Sequence, residues 1–219
     1  MIGIMQPYFF PYIGYFQLID SVDTYVNLDH VAFMKRSYMT RNIINGQPIR
    51  IEIKSGSQNK KCNEVFVNLN EKNIKKFKKT IEMLYSKSIY YNDITNIIFP
   101  IFDNFNQTIS KFNLEIIKSI CNYLDITTKI VNTSEGITDL KREFGLIDIT
   151  KKFNETTYVN AIGGKKLYSK EVFKENGIDL KFIEMGDVKF DNKYASILDL
   201  LFKYDKEYIK KELKKYEIS

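Results

Sequence analysis

Tryptophan is absent from this 219-residue chain, histidine occurs once and cysteine twice. One His and two distant Cys, Cys62 and Cys121, cannot supply a Cys/His zinc centre. Without a CxxC pair they make neither a redox motif nor a disulfide scaffold, and isolated thiols fit a reducing compartment. With four Pro and ten Gly the chain carries no low-complexity linker. The apolar opening MIGIMQPYFFPYIGYF has no basic start and two Pro interrupt it, so it reads as neither a signal peptide nor a membrane span. The phosphate loop GxxxxGK[ST], the dinucleotide fingerprint GxGxxG and the nucleophile elbow GxSxG are all missing. Arginine is scarce too: Arg36, Arg41, Arg50 and Arg142 stand in a chain that otherwise uses lysine.

What is present is apolar. Hydrophobic residues make up 44% and aromatics 14%, which is enough burial to offset the entropy of ordering. The aromatics are Tyr and Phe, and Tyr suits a pocket with a polar rim. Thirty-three Lys+Arg against 27 Asp+Glu leave a net charge of +6. The lysine runs, Lys75-Lys76 to Lys78-Lys79 and Lys210-Lys211 to Lys214-Lys215, fall in helical stretches and read as solvated faces. That argues against a nucleic-acid partner, which calls for a denser basic stripe. A small anionic molecule suits the charge. The expected location is the cytoplasm, without membrane insertion, and a homo-oligomer is compatible with the sequence.

Periodicity orders the chain into alternating elements. Ile2–Met5 reads as a buried strand ended by Gln6-Pro7, Pro11–Ile19 as a helix and Asp23–Leu28 as a second strand, the start of a βαβ unit with a parallel pair. Residues 36–47 read as an exposed loop turning at Asn45-Gly46, Ile49–Lys54 as a half-buried strand, Gly56–Lys61 as a polar loop and Val65–Leu69 as a short strand. A helical section spans about 73–124, with helices at Asn73–Tyr85, Asp93–Phe102 and Leu114–Leu124. Alternation then resumes: strand Lys129–Val131, helix Asp139–Thr150, strand Thr156–Asn160, helix Ser169–Asn176 stopped by Gly177, and strand Leu180–Ile183. Helix Ile197–Lys203 leads into a Lys/Glu-rich helical tail. The expectation is one α/β domain over 1–219, an open, mostly parallel, Rossmann-like sheet flanked by helices.

Three segments sit where chemistry is expected, because ligands of open α/β sheets bind outside the carboxyl ends of the strands. The first leaves strand one and enters a helix: Gln6, Tyr8, Pro11 and Tyr15 are its binding candidates, with Gly14 permitting close approach. The second follows strand two: Asp29 and His30 are the candidate proton-transfer groups, and Lys35, Arg36, Arg41 and Asn42 the candidate grip on phosphate or carboxylate. The third, Tyr158 to Tyr168, follows a late strand and offers Asn160, Gly163, Gly164, Lys165 and Tyr168. Each has a plain structural alternative: a hydrophobic cap on the sheet, a structural histidine, a tight strand-to-helix turn.

QPYFFPYIGYFQLI, DTYVNLDHVAF, KRSYMTRNII, YVNAIGGKKLY and VFKENGIDLKFI resemble, in order and spacing, the WbqC-like family of bacterial surface-polysaccharide gene clusters. The likeness covers nearly the whole chain, and its N-terminal motif is the most specific. Matched position by position, the family's motif residues fall on Gln6, Pro7, Pro11, Gly14, Tyr15, Phe16, Asp29, Arg41, Asn42, Gly163, Gly164 and Tyr168. The chain departs from many relatives at His30, where they carry an acid, at Ala32, where they carry Gln, and at Tyr12 or Tyr38, where they carry Trp. The first departure weakens His30 as a catalyst. The opening strand, loop and helix are also similar to HIGH-type nucleotidyltransferases, but the two histidines that hold ATP there are missing, which argues against adenylyl transfer.

The resemblance implies an association with O-antigen-type sugar biosynthesis; the activity expected here is that of a transferase that adds an acyl or aminoacyl group to a nucleotide-linked amino sugar. No metal and no bound cofactor is expected, and the acyl donor stays open. The sugar's diphosphate would meet Arg36, Arg41 or Lys165, and Asp29, a strand-end carboxylate in a semi-apolar cleft, would be the base. The alternative is a module that binds the same sugar nucleotide without chemistry.

Overall fold

The computed structural model describes residues 1–54, 59–133 and 142–219. Its frame is a six-stranded sheet in the order β5-β2-β1-β6-β7-β8. The strands are β1 (Ile2–Met5), β2 (Thr24–Asn27), β5 (Lys129–Asn132), β6 (Thr157–Ala161), β7 (Asp179–Met185) and β8 (Tyr216–Ile218). The first five pair in parallel, while β8 runs antiparallel on β7. The open, mostly parallel sheet flanked by helices is the architecture expected from the alternating pattern.

Period-two side-chain direction divides the apolar residues between the two faces of the sheet. Ile2, Ile4, Val26, Tyr158, Leu180 and Phe182 enter one core, closed by α5 (Arg142–Lys152) and α6 (Lys170–Glu175). Tyr25, Val159 and Ile183 enter the other, with α1 (Ile13–Asp20), α4 (Ile109–Tyr123), α7 (Ile197–Lys203) and α8 (Lys206–Leu213). Strands buried on both faces read as short apolar runs, which is why IGIM and TYVN show no alternation.

Between β2 and β5 the chain inserts a hairpin, β3 (Arg41–Ile44) with β4 (Gln47–Arg50), then α2 (Glu71–Tyr85), α3 (Tyr91–Ile98), a 3-10 turn at Phe99–Asp103, and α4. Asn45 and Gly46 both have positive φ (44° and 73°), the geometry of the tight two-residue hairpin turn. Helix starts follow local chemistry: Asn70, Thr108, Ser169 and Asp205 cap α2, α4, α6 and α8 through side-chain oxygens. Gly177, at φ 78°, follows α6.

Several expectations need correction. Residues 41–44, read as loop, form β3, and the strand read at 49–54 is β4 at Gln47–Arg50. The segment Val65–Leu69 makes only isolated bridges, Ile53 with Val67 and Phe66 with Thr108. Helix α1 begins at Ile13, so Pro11 precedes its cap residue Tyr12 rather than sitting in its first turn. Asp93–Phe102 splits into the end of α3 and the 3-10 turn, and α4 starts at Ile109, not Leu114. The tail is α8 followed by β8, not helix throughout. Residues 56–58 of the expected polar loop and 139–141 of the expected helix lie outside the described residues.

Candidate functional site

The order β5-β2-β1-β6-β7 grows outward from β1 first to one side and then to the other, so the switch point lies between β1 and β6. Those two strands pair only at Ile2↔Tyr158 and Gly3↔Val159, whereas β1 follows β2 through Met5↔Asn27. The ladder between them ends at Gly3 and Val159, and the loops after β1 and β6 follow at this edge of the sheet.

The loop after β1 is rigid for reasons that can be named. Phe10 is fully buried with φ 47°, a conformation that costs a bulky residue energy and persists only where its surroundings impose it. Asn42 Nδ2 donates to the carbonyls of Phe9 (3.0 Å) and Phe10 (2.6 Å), and Ser196 Oγ donates to Phe10 (2.9 Å). The Phe9 N–H donates to the Tyr38 carbonyl (2.8 Å) and the Ile197 N–H to the Pro11 carbonyl (2.9 Å). Asn42 therefore spends its amide on the loop backbone. Tyr15 is buried as well: its hydroxyl donates to the Gln6 carbonyl (2.8 Å) and shares a short bond with the Tyr25 hydroxyl. Burial holds the Tyr15 phenol far above the ordinary tyrosine range. Pro11 is buried, while Gln6 and Tyr8 stay partly open and the Tyr8 ring lies 5.9 Å from Tyr38.

After β6, residues Ile162–Lys166 form a 3-10 turn. Asn160 is buried, its Oδ1 accepting the Ala161 N–H (2.8 Å). Gly164 is required at its position, since a β-carbon would come within 2.2 Å of Asn160 Nδ2, whereas Gly163 faces open space. Lys165 is exposed and Tyr168 half-buried, its ring 6.2 Å from Phe173.

Asp29 lies two residues past β2, only 6% exposed. Thr133, just beyond β5, donates its hydroxyl to Asp29 Oδ1 (2.8 Å) and accepts the Asp29 N–H (3.1 Å). The same oxygen lies 2.7 Å from His30 Nδ1. The Thr133 proton has the Asp29 carboxylate as its nearer acceptor and the Asn27 carbonyl (3.3 Å) as its farther one; with the proton on either, Thr133 accepts from the Nδ1–H tautomer of His30, in which Nε2 is the basic nitrogen. Burial lowers the His30 pKa; Asp29 opposes this and Lys61 adds to it. Asp29 and His30 are thus one hydrogen-bonded group joined by a threonine.

The basic candidates gather elsewhere. Lys35, Arg36 and Arg41 line a cavity of about 680 Å³ together with Arg50 and Lys54, opposed by the single carboxylate of Glu52. Arg41 and Arg50 are direct cross-strand partners. They share the outer hairpin face, and Asn42 on the other face holds the β1 loop. Among the described residues no carboxylate forms an ion pair with Arg36, Arg41 or Arg50. Lys165 does not line this cavity.

Several polar residues at the carboxyl edge were not singled out from sequence: Asn27, Asn63, Ser110, Asn132 and Thr133. Asn27 and Asn132 carry a signal, since each is the last residue of a strand and breaks an apolar run at the ligand edge. Thr133 and Ser110 carry none, because their roles arise from contacts across about a hundred residues.

Both thiols are buried, and burial pushes Cys62 and Cys121 up to about 12, so neither is a thiolate nucleophile near neutral pH. Among the described residues no group of three or more His, Cys, Asp or Glu side chains could hold a metal ion, and no helix is long and apolar enough to cross a membrane.

The family model described as the WbqC-like protein family matches residues 6–211. The chain is similar to the uncharacterized protein Rv1507c of Mycobacterium tuberculosis (strain ATCC 25618 / H37Rv), 26% identical over 217 residues that cover 92% of each chain. No solved structure matches it.

Proposed function

The chain belongs to the WbqC-like protein family, and from that premise and the site above we propose that it is an enzyme of bacterial surface-polysaccharide sugar biosynthesis, a transferase that adds an acyl or aminoacyl group to a nucleotide-linked amino sugar. The observation that carries the reading is the arginine cavity. Three of the chain's four arginines converge with Lys35 and Lys54 on one hollow of about 680 Å³. Guanidinium groups are planar forks that bind phosphate oxygens two at a time. A diphosphate is the anion whose size and charge suit them.

The chemistry falls to the Asp29–Thr133–His30 group. As the sugar amine bonds to the acyl carbon, that carbon's bond to the donor's leaving group breaks; the leaving group departs with the electron pair and the amine sheds a proton, which a carboxylate or a neutral imidazole held at the strand edge can take. Thr133 fixes the orientation of both. Direct transfer requires no thiolate, in keeping with two buried, neutral cysteines. A substrate of this kind places the protein in the cytoplasm.

The test is product formation followed by mass spectrometry, with nucleotide-linked amino sugars and a mixture of acyl and aminoacyl donors. A mass increase on the sugar, lost in Asp29→Asn and weakened in Arg41→Ala, is the expected result. Full turnover in both variants would sink the assignment. Binding with no mass change on long incubation would make the protein a sugar-nucleotide module, and binding of ATP alone would move it toward nucleotidyl transfer.

A further inference from the structure

A second, smaller cavity of about 260 Å³ opens at the carboxyl edge, where β2 and β5 end against the start of α4. Asp29, Asn63, Ser110 and Asn132 line it, with Lys111, Lys118 and Glu115 from α4. It is less than half the size of the arginine cavity, the scale of a subsite for one ring. Its lining is separate from that of the arginine cavity.

The polar groups left over decide what the cavity takes. The start of a helix ordinarily offers free N–H donors to an anion. Here they are spent: Ile109 N–H donates to the Val65 carbonyl (2.7 Å), Ser110 to Cys62 (3.4 Å), and Phe112 to Thr108 (2.9 Å). Lys111 N–H goes to the Thr108 hydroxyl (3.4 Å). The charged lining groups balance, two lysines against Asp29 and Glu115. What remains is acceptor-rich. Among the described residues no donor reaches the buried Oδ1 of Asn63. Asn27 Nδ2 meanwhile ties together two lining residues, donating to Ser110 Oγ (3.1 Å) and Asn132 Oδ1 (2.9 Å). A buried acceptor without a donor is costly, and this one lines a cavity from which a ligand's donor can reach it.

The geometry points to this cavity as the subsite for a single amino-sugar ring, its ammonium and hydroxyl groups donating to Asn63, Asp29 and the Asn132 amide at the end of β5. The choice of a sugar rests on the function proposed above; a small, donor-rich ring is what the cavity itself specifies. The placement sets the ring's amine beside the carboxylate that Thr133 orients, apart from the cavity that takes the diphosphate.

The experiment titrates the full chain with two separate probes, free 2-amino-2-deoxyglucose and uridine diphosphate, by calorimetry and ligand-observed NMR. The subsite predicts that Asn63→Ala and Asn132→Ala weaken the amino sugar about tenfold or more while leaving uridine diphosphate unchanged. Asn63→Asp keeps the shape and adds a negative charge. It should bind the free amine more tightly and its N-acetylated form no better. Thermal melting of each variant checks that the fold is kept, and should Asn132→Ala not fold, the Asn63 pair carries the test. Amino-sugar affinity unmoved by all three variants overturns the subsite, as does absence of sugar binding to the wild-type chain. If uridine diphosphate binds while the sugar does not, the subsite fails and the arginine cavity stands. If the sugar binds and uridine diphosphate does not, the nucleotide-linked reading fails and the subsite stands.

Discussion

Arg41 and Arg50 face each other directly across the β3–β4 ladder, two guanidinium groups in one cross-strand pair. Like charges opposed in this way destabilise a hairpin. Arg50→Gln should therefore stabilise the protein slightly, by about 0.2–0.5 kcal/mol, while weakening diphosphate binding about tenfold. Denaturant melts and a titration with uridine diphosphate, run on one preparation, read both. A loss of stability together with unchanged binding would mean that the pair serves the fold and not a ligand.

Asn42 holds the carbonyls of Phe9 and Phe10, and so holds the left-handed backbone of Phe10. Removing its amide strands the part-buried Phe9 carbonyl and leaves Phe10 with Ser196 alone, at a cost of about 1–3 kcal/mol. Asn42→Ala should lower the melting temperature by about 3–10 °C, and Arg41→Ala, next in the chain, should barely move it. Equal shifts in the two variants would contradict the division between an anchoring face and a binding face of the hairpin.

The paired glycines are not equivalent. Gly164→Ala drives a methyl into Asn160, whose side chain is already fixed on the Ala161 N–H, and should cost about 1–3 kcal/mol. Gly163→Ala meets nothing within 4 Å and should stay within about 0.5 kcal/mol of the parent. Truncating Asn160 to alanine in the Gly164→Ala background should recover part of the loss. Failure of that rescue would place the strain elsewhere.

Burial is the main reason why the His30 pKa lies below its ordinary 6.5, with Lys61 adding to the shift and Asp29 opposing it. As pH falls through about 6.5 the unfolded chain takes a proton that the folded chain resists. Stability should drop on the acid side of that value, and less so in His30→Gln; melts between about pH 7 and 5 decide it. Turnover that uses the neutral imidazole should rise through a pKa below the usual histidine value. Thr133→Val, near in shape, should lower the rate and shift that profile. A Thr133→Val profile that overlays the parent's would leave the threonine a packing role.

The central strands were legible because burial on both faces demands short apolar runs, and IGIM, TYVN and TYVNA supply them. The hairpin was half legible: Asn45-Gly46 announced the turn, but Arg41 and Arg50 disguised its arms, since strands with one exposed face admit charge. Val65–Leu69 has strand composition yet only single bridges, because its neighbours Ile53 and Thr108 offer no ladder. The same limit applies at the site. Motif residues at strand ends can be located by position, as Asp29 was. Whether a side chain faces a ligand or the backbone is settled by distant contacts: Asn42 and Tyr15 turn inward, and Thr133 joins Asp29 to His30 across more than a hundred residues.

The anchoring of the β1 loop by Ser196 has a consequence in time. Phe10 and Ser196 stand 186 residues apart, so at ~5–20 residues per second a ribosome needs about 10–40 s to make the second after the first. Strand β1 waits almost as long for its central neighbour β6. The nascent chain thus completes this corner in two stages: β2 and Asn42 are at hand early to hold β1 and its strained loop, while β6 and Ser196 join only much later, and in between the loop is half anchored, a natural target for a chaperone.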